Sequence, residues 1–265
     1  MSEEIQSRTN PLVKQIRALR TPRRRPDQEL FLVEGIHPVG EAVEAGWKLE
    51  ALLYAPRLLT SDFGRSLVET AARRGERVAS VAPELFSELS DKDNPQGILA
   101  LVHRRSWTLA QLEPVPIRLG VALVSPQDPG NVGTILRCLD GVGADALIEL
   151  EGGVDPFHPS SVRASMGTIF WKPVVQAGFQ KFVEWTRGRG IRLVGSSAHA
   201  ELNCSRENLS GTPSILLLGS EQKGLTREQQ AACDRVVSIP MHGRASSLNL
   251  AVAAGILLYL MEDTL

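Results

Sequence analysis

The stretch LGVALVSPQDPGNVGTILR, residues 119–137, contains a strand, a polar loop and a helix in close succession. Its apolar run 119–125 is typical of a buried strand, and the loop 126–131 leads into apolar residues at helical spacing. Those residues are Val132, Ile135, Leu136 and Leu139. In open parallel sheets ligands bind beyond the carboxyl ends of the strands, so this loop is the first place to expect a functional site.

Four more apolar runs with strand character follow along the chain, and helical stretches separate most of them. They are 146–150, 191–196, 215–218 and 236–239. This alternation predicts an α/β domain whose mainly parallel sheet is covered on both faces. Two further loops that follow strands are rich in glycine and polar residues, 219–224 and 241–249.

A smaller α/β unit is predicted before this domain. Asn10-Pro11 predicts a helix start, since Asn is a favoured N-cap and Pro a favoured first helical residue. Strand candidates are 30–33, 49–55, 77–82 and 98–102. The proline-bearing segment 108–117 is interpreted as a linker, which divides the chain into domains 1–107 and 118–265.

The composition is that of an ordinary globular protein, with 43% hydrophobic and 22% charged residues among 265. Cys138, Cys204 and Cys233 are far apart and lack C-x-x-C spacing, so neither a disulfide framework nor a zinc site is indicated. The longest apolar stretch, 248–261, is too short to cross a bilayer and predicts a buried helix, and the first residues lack signal-peptide features. We therefore expect a cytoplasmic protein with no membrane partner.

Basic residues cluster near the N terminus, although the net charge of −1 argues against a uniformly basic nucleic-acid binder. No acidic residue interrupts residues 8–25. The cluster is suited to RNA phosphates, but a solvated helix face with its following loop has the same composition. Its members are Arg8, Lys14, Arg17, Arg20, Arg23, Arg24 and Arg25.

Familiar nucleotide-binding motifs are missing. Gly141-x-Gly143-x-x-Ala146 matches the dinucleotide pattern, but it ends a helix and leads into a strand, which reverses the required context. Gly219-x-x-x-x-Gly224 lacks the Lys-Ser/Thr pair of a phosphate-binding loop.

The remaining candidates for a functional site are small and polar residues at strand ends. Each of them, taken alone, could instead have a purely structural role. Asn131 could cap the helix that follows it, and Ser246 or Ser247 could cap the last helix. Arg137 could be an ordinary surface arginine.

Taken together, three segments resemble the motifs of the SpoU (TrmH-like) branch of the SPOUT RNA 2'-O-methyltransferases. They are NVGTILR at 131–137, LGSEQKGL at 218–225 and IPMHGRASSLNLA at 239–251, in the family's order and spacing. The stretch RASMG at 163–167 resembles one common between the first two motifs, so the similarity covers essentially all of residues 119–265. A departure is Ala251, where many relatives have a polar residue.

The N-terminal half resembles the RNA substrate-binding domain often fused to this family, a fold akin to small RNA-binding ribosomal proteins. The markers are NPLVK at 10–14, FLVEG at 31–35 and NPQGI at 94–98.

The resemblance implies S-adenosylmethionine as the cofactor and a C-terminal trefoil knot. It also implies a homodimer that pairs through the helices after the first and third motifs and completes each active site across the interface. It implies that the cofactor is held by backbone at Leu218, Gly219, Ile239, Met241 and Leu248. It implies that the catalytic residues are Asn131, Arg137, Glu221, Ser247 and Asn249.

The role of Arg137 has two interpretations. The family's matching arginine is proposed as the base that deprotonates the ribose 2'-hydroxyl. A free guanidinium keeps its proton up to pH about 12, so deprotonating it near pH 7 costs roughly 7 kcal/mol. A protonated Arg137 that positions a phosphate and stabilises the developing alkoxide would require the same residue.

The substrate implied by the resemblance is a ribose 2'-hydroxyl, and ribosomal RNA is favoured because the N-terminal domain resembles a ribosomal-protein fold. Transfer RNA is the alternative substrate. A non-catalytic RNA-binding or ribosome-assembly factor on the same fold is the competing class, and the retained Asn131, Arg137 and Asn249 argue against it. An enzyme for another nucleotide is disfavoured by the missing motifs.

Overall fold

A computed structural model describes residues 4–20, 29–113, 115–211 and 213–262, and the chain divides into two compact units. Unit 1 comprises Met1–Arg105 and Phe157–Trp171, and unit 2 comprises Ser106–Pro156 and Lys172–Leu265. The first division lies close to the boundary expected at residue 107. Nothing in the sequence pattern indicated that residues 157–171 would join unit 1.

The described part of unit 1 forms a four-stranded sheet in the order β1-β4-β2-β3. Strand β4 is antiparallel to β1 and β2, and β2 is parallel to β3. The strands are β1 (Leu30–Glu34), β2 (Leu49–Tyr54), β3 (Val78–Ser80) and β4 (Ile98–His103). The helices before residue 105 are α1 (Pro11–Arg20), α2 (Ile36–Glu44), α3 (Asp62–Arg73) and α4 (Pro83–Leu89). The predicted strands are all present.

Helix α1 begins where the sequence predicts. The Asn10 side chain accepts a hydrogen bond from the backbone N–H of Leu12 at 3.0 Å, and Pro11 is the first helical residue. Leu12, Val13 and Ile16 are buried in the core of unit 1, so apolar spacing and burial agree.

Unit 2 forms a seven-stranded sheet within the described residues, in the order β7-β6-β5-β10-β8-β11-β9. Its elements are β5 (Leu119–Val124), α5 (Pro129–Gly141), β6 (Ala146–Leu150), β7 (Val174–Ala177), α7 (Phe179–Gly188), β8 (Arg192–Ser196), β9 (Leu202–Asn203), β10 (Ser214–Leu218), α8 (Arg227–Ala231), β11 (Arg235–Ser238) and α9 (Leu250–Met261). Helix α6 (Pro159–Ala164), which follows β6, belongs to unit 1.

All strand pairs of this sheet are parallel, which confirms the predicted fold class. Every residue of β5 and β10 is buried, as expected for central strands covered on both faces. The segment expected to be a linker, 108–117, contains a 3₁₀ turn at Ala110–Leu112, and Leu112 is buried in the core of unit 2.

Four aromatic rings attach residues 157–171 to the rest of unit 1. The ring centroids of Phe31 and Phe157 are 4.8 Å apart, and those of Trp47 and Phe170 are 5.4 Å apart. Trp47 Nε1 also donates to the carbonyl oxygen of Phe170 at 2.9 Å. All four side chains are buried, so this segment is part of the core of unit 1.

The apolar stretch 248–261 contributes α9, and only one face of this helix is buried. The prediction of a buried helix is correct for that face and wrong for the other, where Val252, Ile256, Tyr259 and Leu260 are exposed. Within the described ranges, no helix has the length and apolar character needed to cross a membrane.

Candidate active site

The loops after β5 and β10 meet because these two strands are neighbours. Leu123 pairs with Leu218 near the carboxyl ends, so both chains leave the sheet side by side. The Glu221 carboxylate then accepts hydrogen bonds from the backbone N–H groups of Gln127, at 2.9 Å, and Asp128, at 3.2 Å. One side chain from the second motif therefore fixes the loop that precedes the first.

Asn131 lies inside α5 and does not cap it. The cap is Asp128, whose side chain accepts from the backbone N–H of Gly130 at 2.7 Å, so the alternative role for Asn131 is wrong. Asn131 is 7% exposed. Its Nδ2 donates to Glu221 Oε1 at 3.0 Å, and its Oδ1 accepts from Asn249 Nδ2 at 2.9 Å.

Asn249 is the N-cap of α9. Its Oδ1 accepts from the backbone N–H groups of Ala251, at 2.8 Å, and Val252, at 3.3 Å, so neither Ser246 nor Ser247 is the cap. We call the hydrogen-bonded chain of Glu221, Asn131 and Asn249 the amide bridge. It joins one residue from each of the three motifs.

The pKa of Glu221 follows from these contacts. Burial raises it, but the hydrogen bonds from the Asn131 amide and nearby backbone N–H groups outweigh burial, so the pKa lies below its ordinary value of 4.5. The carboxylate is therefore ionised at neutral pH, as an acceptor of several N–H groups must be.

Arg137 and Ser247 stand apart from the amide bridge. Both side chains are exposed. Arg137 lies on α5 beyond Asn131, and within the described residues neither side chain forms a hydrogen bond or an ion pair. Both are therefore available to a ligand from solution.

Gly219 is required by a close approach of backbone to backbone. A Cβ atom at this position would lie 2.0 Å from the carbonyl carbon of Gly224 and 2.3 Å from the backbone nitrogen of Leu225. The backbone N–H of Gly224 donates to the carbonyl of Ser220 at 2.8 Å, which closes the turn. The group that approaches Gly219 is thus the protein's own chain.

The residues expected to hold the cofactor lie at the carboxyl edge of the sheet. Leu218 is buried at the end of β10, Ile239 and Leu248 are half-buried after β11, and Met241 is exposed. Among the residues that the structure describes, the backbone of 239–248 forms no hydrogen bond. Free backbone donors and acceptors beside apolar side chains are suited to a nucleoside.

Sequence reasoning missed the strain at the ends of β5 and β6. Ser125 has φ 46° and Glu151 has φ 58°, values that non-glycine residues rarely adopt. The two are joined by a hydrogen bond from Ser125 Oγ to the carbonyl of Glu151 at 3.3 Å. A residue before proline usually adopts extended backbone, so Pro126 gave no signal for the positive φ of Ser125.

The N-terminal basic cluster is partly neutralised within unit 1. Arg8 and Arg17 both pair with Glu88. The hydrogen bond from Arg8 lowers the pKa of Glu88, so that carboxylate stays charged. Lys14 is exposed, and Arg23, Arg24 and Arg25 lie outside the described residues.

Arg20 is the most buried of the described cluster members. Its side chain is 13% exposed and pairs with Glu34 at 2.7 Å and also with Asp91. The groups that would bind RNA from this position are thus occupied inside the unit.

Metal ligation finds no support in the described part of the chain, where no group of three or more His, Cys, Asp or Glu side chains is placed to hold an ion.

Two family models match this chain. Residues 118–259 match the SpoU rRNA Methylase family, and residues 10–100 match the MRM3-like substrate binding domain. The first match spans the whole amide bridge, and the second lies within unit 1.

Curated relatives match over most of the chain. The 23S rRNA (uridine(2479)-2'-O)-methyltransferase of Streptomyces viridochromogenes is 39% identical over 240 residues, which are 86% of this chain and 81% of that protein. The 23S rRNA (guanosine(2553)-2'-O)-methyltransferase RlmP of Bacillus subtilis is 30% identical over 259 residues, which are 97% of this chain and 98% of that protein.

Solved structures agree with the sequence relatives. The AdoMet-bound rRNA methyltransferase from Sinorhizobium meliloti has a TM-score of 0.87 and 34% identity, covering 97% of this chain and 96% of that one. The SpoU methyltransferase AviRb from Streptomyces viridochromogenes, in complex with AdoMet, has a TM-score of 0.83 and 33% identity, covering 95% and 97%.

Proposed function

The chain belongs to the SpoU rRNA methylase family, and we propose that its amide bridge organises a site for methyl transfer to a ribose 2'-hydroxyl of ribosomal RNA. The protein is an S-adenosylmethionine-dependent RNA 2'-O-methyltransferase. The observation that carries the proposed site is the hydrogen-bonded contact of Glu221, Asn131 and Asn249, which brings three distant loops together.

The cofactor pocket is proposed at Leu218, Gly219, Ile239, Met241 and Leu248. These residues fit a nucleoside cofactor because apolar side chains lie beside unbonded backbone groups of 239–248. When bound there, S-adenosylmethionine supplies the methyl group that moves from its sulfonium sulfur to the ribose oxygen. The turn at Gly219 sets the position of Leu218 relative to this pocket.

Arg137 is proposed to act as a cation and not as the proton acceptor. An exposed guanidinium keeps its charge, and Arg137 forms no hydrogen bond or ion pair with any residue that the structure describes. It can therefore position an RNA phosphate and stabilise the developing alkoxide, while solvent water accepts the proton that the 2'-hydroxyl loses. Asn131 holds the helix that carries Arg137 against Glu221 and Asn249. Ser247, exposed just before the α9 cap, completes the proposed set.

The reaction is tested by mapping 2'-O-methylated nucleotides in ribosomal and transfer RNA from cells with and without the gene. A modified ribosomal nucleotide that disappears on deletion and returns with the wild-type gene is expected. If only a 2'-O-methylated nucleotide of transfer RNA disappears, the substrate is transfer RNA instead. Loss of no mark would contradict the proposal.

Unit 1 is proposed to recruit the RNA through its N-terminal basic cluster. Arg8, Arg17 and Arg20 are paired within the unit, whereas Lys14 is exposed. The proposal also includes Arg23, Arg24 and Arg25, which lie outside the described residues. If about four side chains contact phosphates, single-strand binding should fall with salt at a log-log slope near −3. Charge-removing substitutions in the full chain are the suitable test, because deleting residues 1–107 would strip Phe157 and Phe170 of their ring partners.

A homodimer is proposed through α9 and α5. The exposed side chains of Val252, Ile256, Tyr259 and Leu260 recur at helical spacing and form one apolar stripe. Helix α9 packs against α5, so a partner that covers the stripe would lie beside the helix that carries Arg137. This position fits the expectation that each active site is completed across the interface.

Two further proposals come from family membership. The C-terminal segment is proposed to thread a loop as a trefoil knot, an exception to the usual rule against knots. Action in the cytoplasm is proposed because the curated relatives are named as modifying ribosomal RNA.

A further inference from the structure

Three large apolar side chains of unit 1 are exposed. Phe63 is 57% exposed, Met166 is 47% exposed and Trp171 is 52% exposed. Phe63 lies on α3, whereas Met166 and Trp171 belong to the segment 157–171. Phe63 and Trp171 contact α2, and Met166 directly precedes Gly167, which lies against the α2 residue Glu41. Neither the basic cluster nor the active site includes these three residues.

Phe63 rests on the backbone of α2. A Cβ atom at Gly40 would lie 3.1 and 3.2 Å from two carbon atoms of the Phe63 ring, so the ring covers this buried glycine directly. One side of the ring is supported by the helix, while more than half of the side chain faces solvent.

Trp171 is fixed by the next residue of the same helix. Its Nε1 donates to Glu41 Oε2 at 2.6 Å. The Glu41 stem in turn lies against Gly167, where a Cβ atom would be 2.4 Å from Glu41 Cγ. The polar edge of the indole is thus satisfied and its orientation is set, yet half of the side chain stays exposed.

We propose that Phe63, Met166 and Trp171, which we call the aromatic platform, bind unpaired bases of the RNA substrate by stacking; the proposal rests on the proposed function. Proteins recognise single-stranded RNA by stacking splayed bases on aromatic side chains. Rings held in place before binding lose little conformational entropy when a base covers them. Helices α2 and α3 lie within the region that matches a substrate-binding domain.

Charge around the platform supports a nucleic acid over an apolar protein surface. Arg163 is exposed near the end of α6, three residues before Met166, and within the described residues its side chain has no hydrogen-bond or ion-pair partner. Of the nearby carboxylates, Glu41 is engaged by Trp171 and Asp62 pairs with Arg65. A base on the platform would therefore place its phosphate within reach of an unpaired cation.

The experiment measures binding of a fluorescein-labelled, mixed-sequence single strand of RNA and of the same strand annealed to its complement. Phe63→Ala and Trp171→Ala should each weaken single-strand binding about ten-fold, whereas Phe63→Tyr and Trp171→Phe keep a ring and should bind nearly as wild type. Duplex binding should not change. Arg163→Ala should reduce the log-log salt slope by about 0.7, and the ring variants should leave the slope unchanged.

Matched controls are Leu202→Ala, an exposed apolar side chain of unit 2, and Arg73→Ala, an exposed arginine of α3. Neither should alter RNA binding. Trp171 is one of four tryptophans. If a base stacks on it, RNA should quench the tryptophan fluorescence of the wild type more than that of Trp171→Phe. This measurement tests the platform without any alanine variant.

Unchanged RNA affinity in both alanine variants, or equal quenching in Trp171→Phe, would overturn the platform. If the alanine variants lose self-association but still bind RNA normally, the proposal is also overturned, and the surface instead binds a second copy of the chain. If wild type binds the single strand through the platform but transfers no methyl group to ribosomal RNA, the proposed function fails and the platform stands.

Discussion

The side-chain amide of Asn249 caps α9 through Oδ1 and donates to Asn131 Oδ1 through Nδ2 at 2.9 Å. One side chain thus starts the last helix and satisfies a buried amide that lies 118 residues earlier in the sequence. Because buried polar atoms need partners, the two tasks depend on each other. Substitutions at Asn249 can separate them.

Asn249→Asp should retain the cap of α9 and lose the Nδ2 donor to Asn131. Asn249→Ala should lose both. We expect the alanine variant to be less stable than the aspartate variant by about 1 kcal/mol, the usual value of an N-cap. Leaving Asn131 Oδ1 unpaired costs both variants about 1–3 kcal/mol. Denaturant unfolding measures these differences. Methyl transfer should fall on the order of 10- to 100-fold in both, since a displaced active-site group is costly. Full activity of Asn249→Asp would show that the amide bridge is only structural.

Acid should weaken the contribution of Glu221 to stability. The pKa of this carboxyl is lowered in the folded chain, so its contribution is fully present above its ordinary value of 4.5 and is lost as pH falls through the folded value. The difference in unfolding free energy between wild type and Glu221→Gln should therefore be constant from pH 7 to about pH 5.5 and shrink below about 4.5. A difference that grows on acidification would have the wrong sign and contradict the assigned hydrogen bonds.

Gly219→Ala should deform the turn 219–224, because the new Cβ would overlap the Gly224 backbone. We expect a loss of about 1–3 kcal/mol in stability and weakened binding of S-adenosylhomocysteine by calorimetry. Gly188→Ala is the matched control, since a Cβ there meets nothing within 4 Å. If the two variants have the same stability and the same affinity for S-adenosylhomocysteine, the turn does not contribute to the cofactor site.

Arg137→Ala should lower the single-turnover rate on the order of 100-fold or more, with melting temperature and S-adenosylhomocysteine affinity close to wild type. Arg137→Lys keeps the charge but loses the planar fork, so an intermediate rate is expected. Arg187→Ala, another exposed helical arginine, should leave transfer alone. Near-normal transfer by Arg137→Ala would return Arg137 to the role of an ordinary surface residue.

A charge in the α9 stripe should prevent pairing of subunits. Ile256→Glu places a carboxylate among Val252, Tyr259 and Leu260, and we expect analytical ultracentrifugation to show a monomer with reduced methyl transfer. Leu202→Glu, at an exposed apolar position on β9, should remain a dimer. A wild-type monomer that is fully active would refute the shared active site.

The sequence alone predicted most of the unit 2 sheet because its central strands are continuous apolar runs. Strands β7 and β9 were not predicted, since they are short and lie at the two edges of the sheet. Their partners, and not their own residues, make them strands. The helix face of α5 was predicted correctly, with Val132 and Ile135 buried.

The candidate active site could be predicted from the sequence only in part. Resemblance pointed to Asn131, Glu221 and Asn249, but their contact spans 90 and 118 residues of sequence, which no local pattern can reveal. The same limit explains the basic cluster, because Glu88 and Asp91 lie far along the chain from the arginines they neutralise. Local composition shows charge and cannot show its partner.

The ring contact between Phe31 and Phe157 affects the order in which the core of unit 1 is completed during translation. Its final core residues are synthesised only after β5, α5 and β6 of unit 2. Domains generally fold as units from the N terminus as synthesis proceeds. The core that contains Leu12 and Phe86 uses only residues made before 105, whereas Phe31 and Trp47 gain their ring partners only when residues 157–170 have emerged.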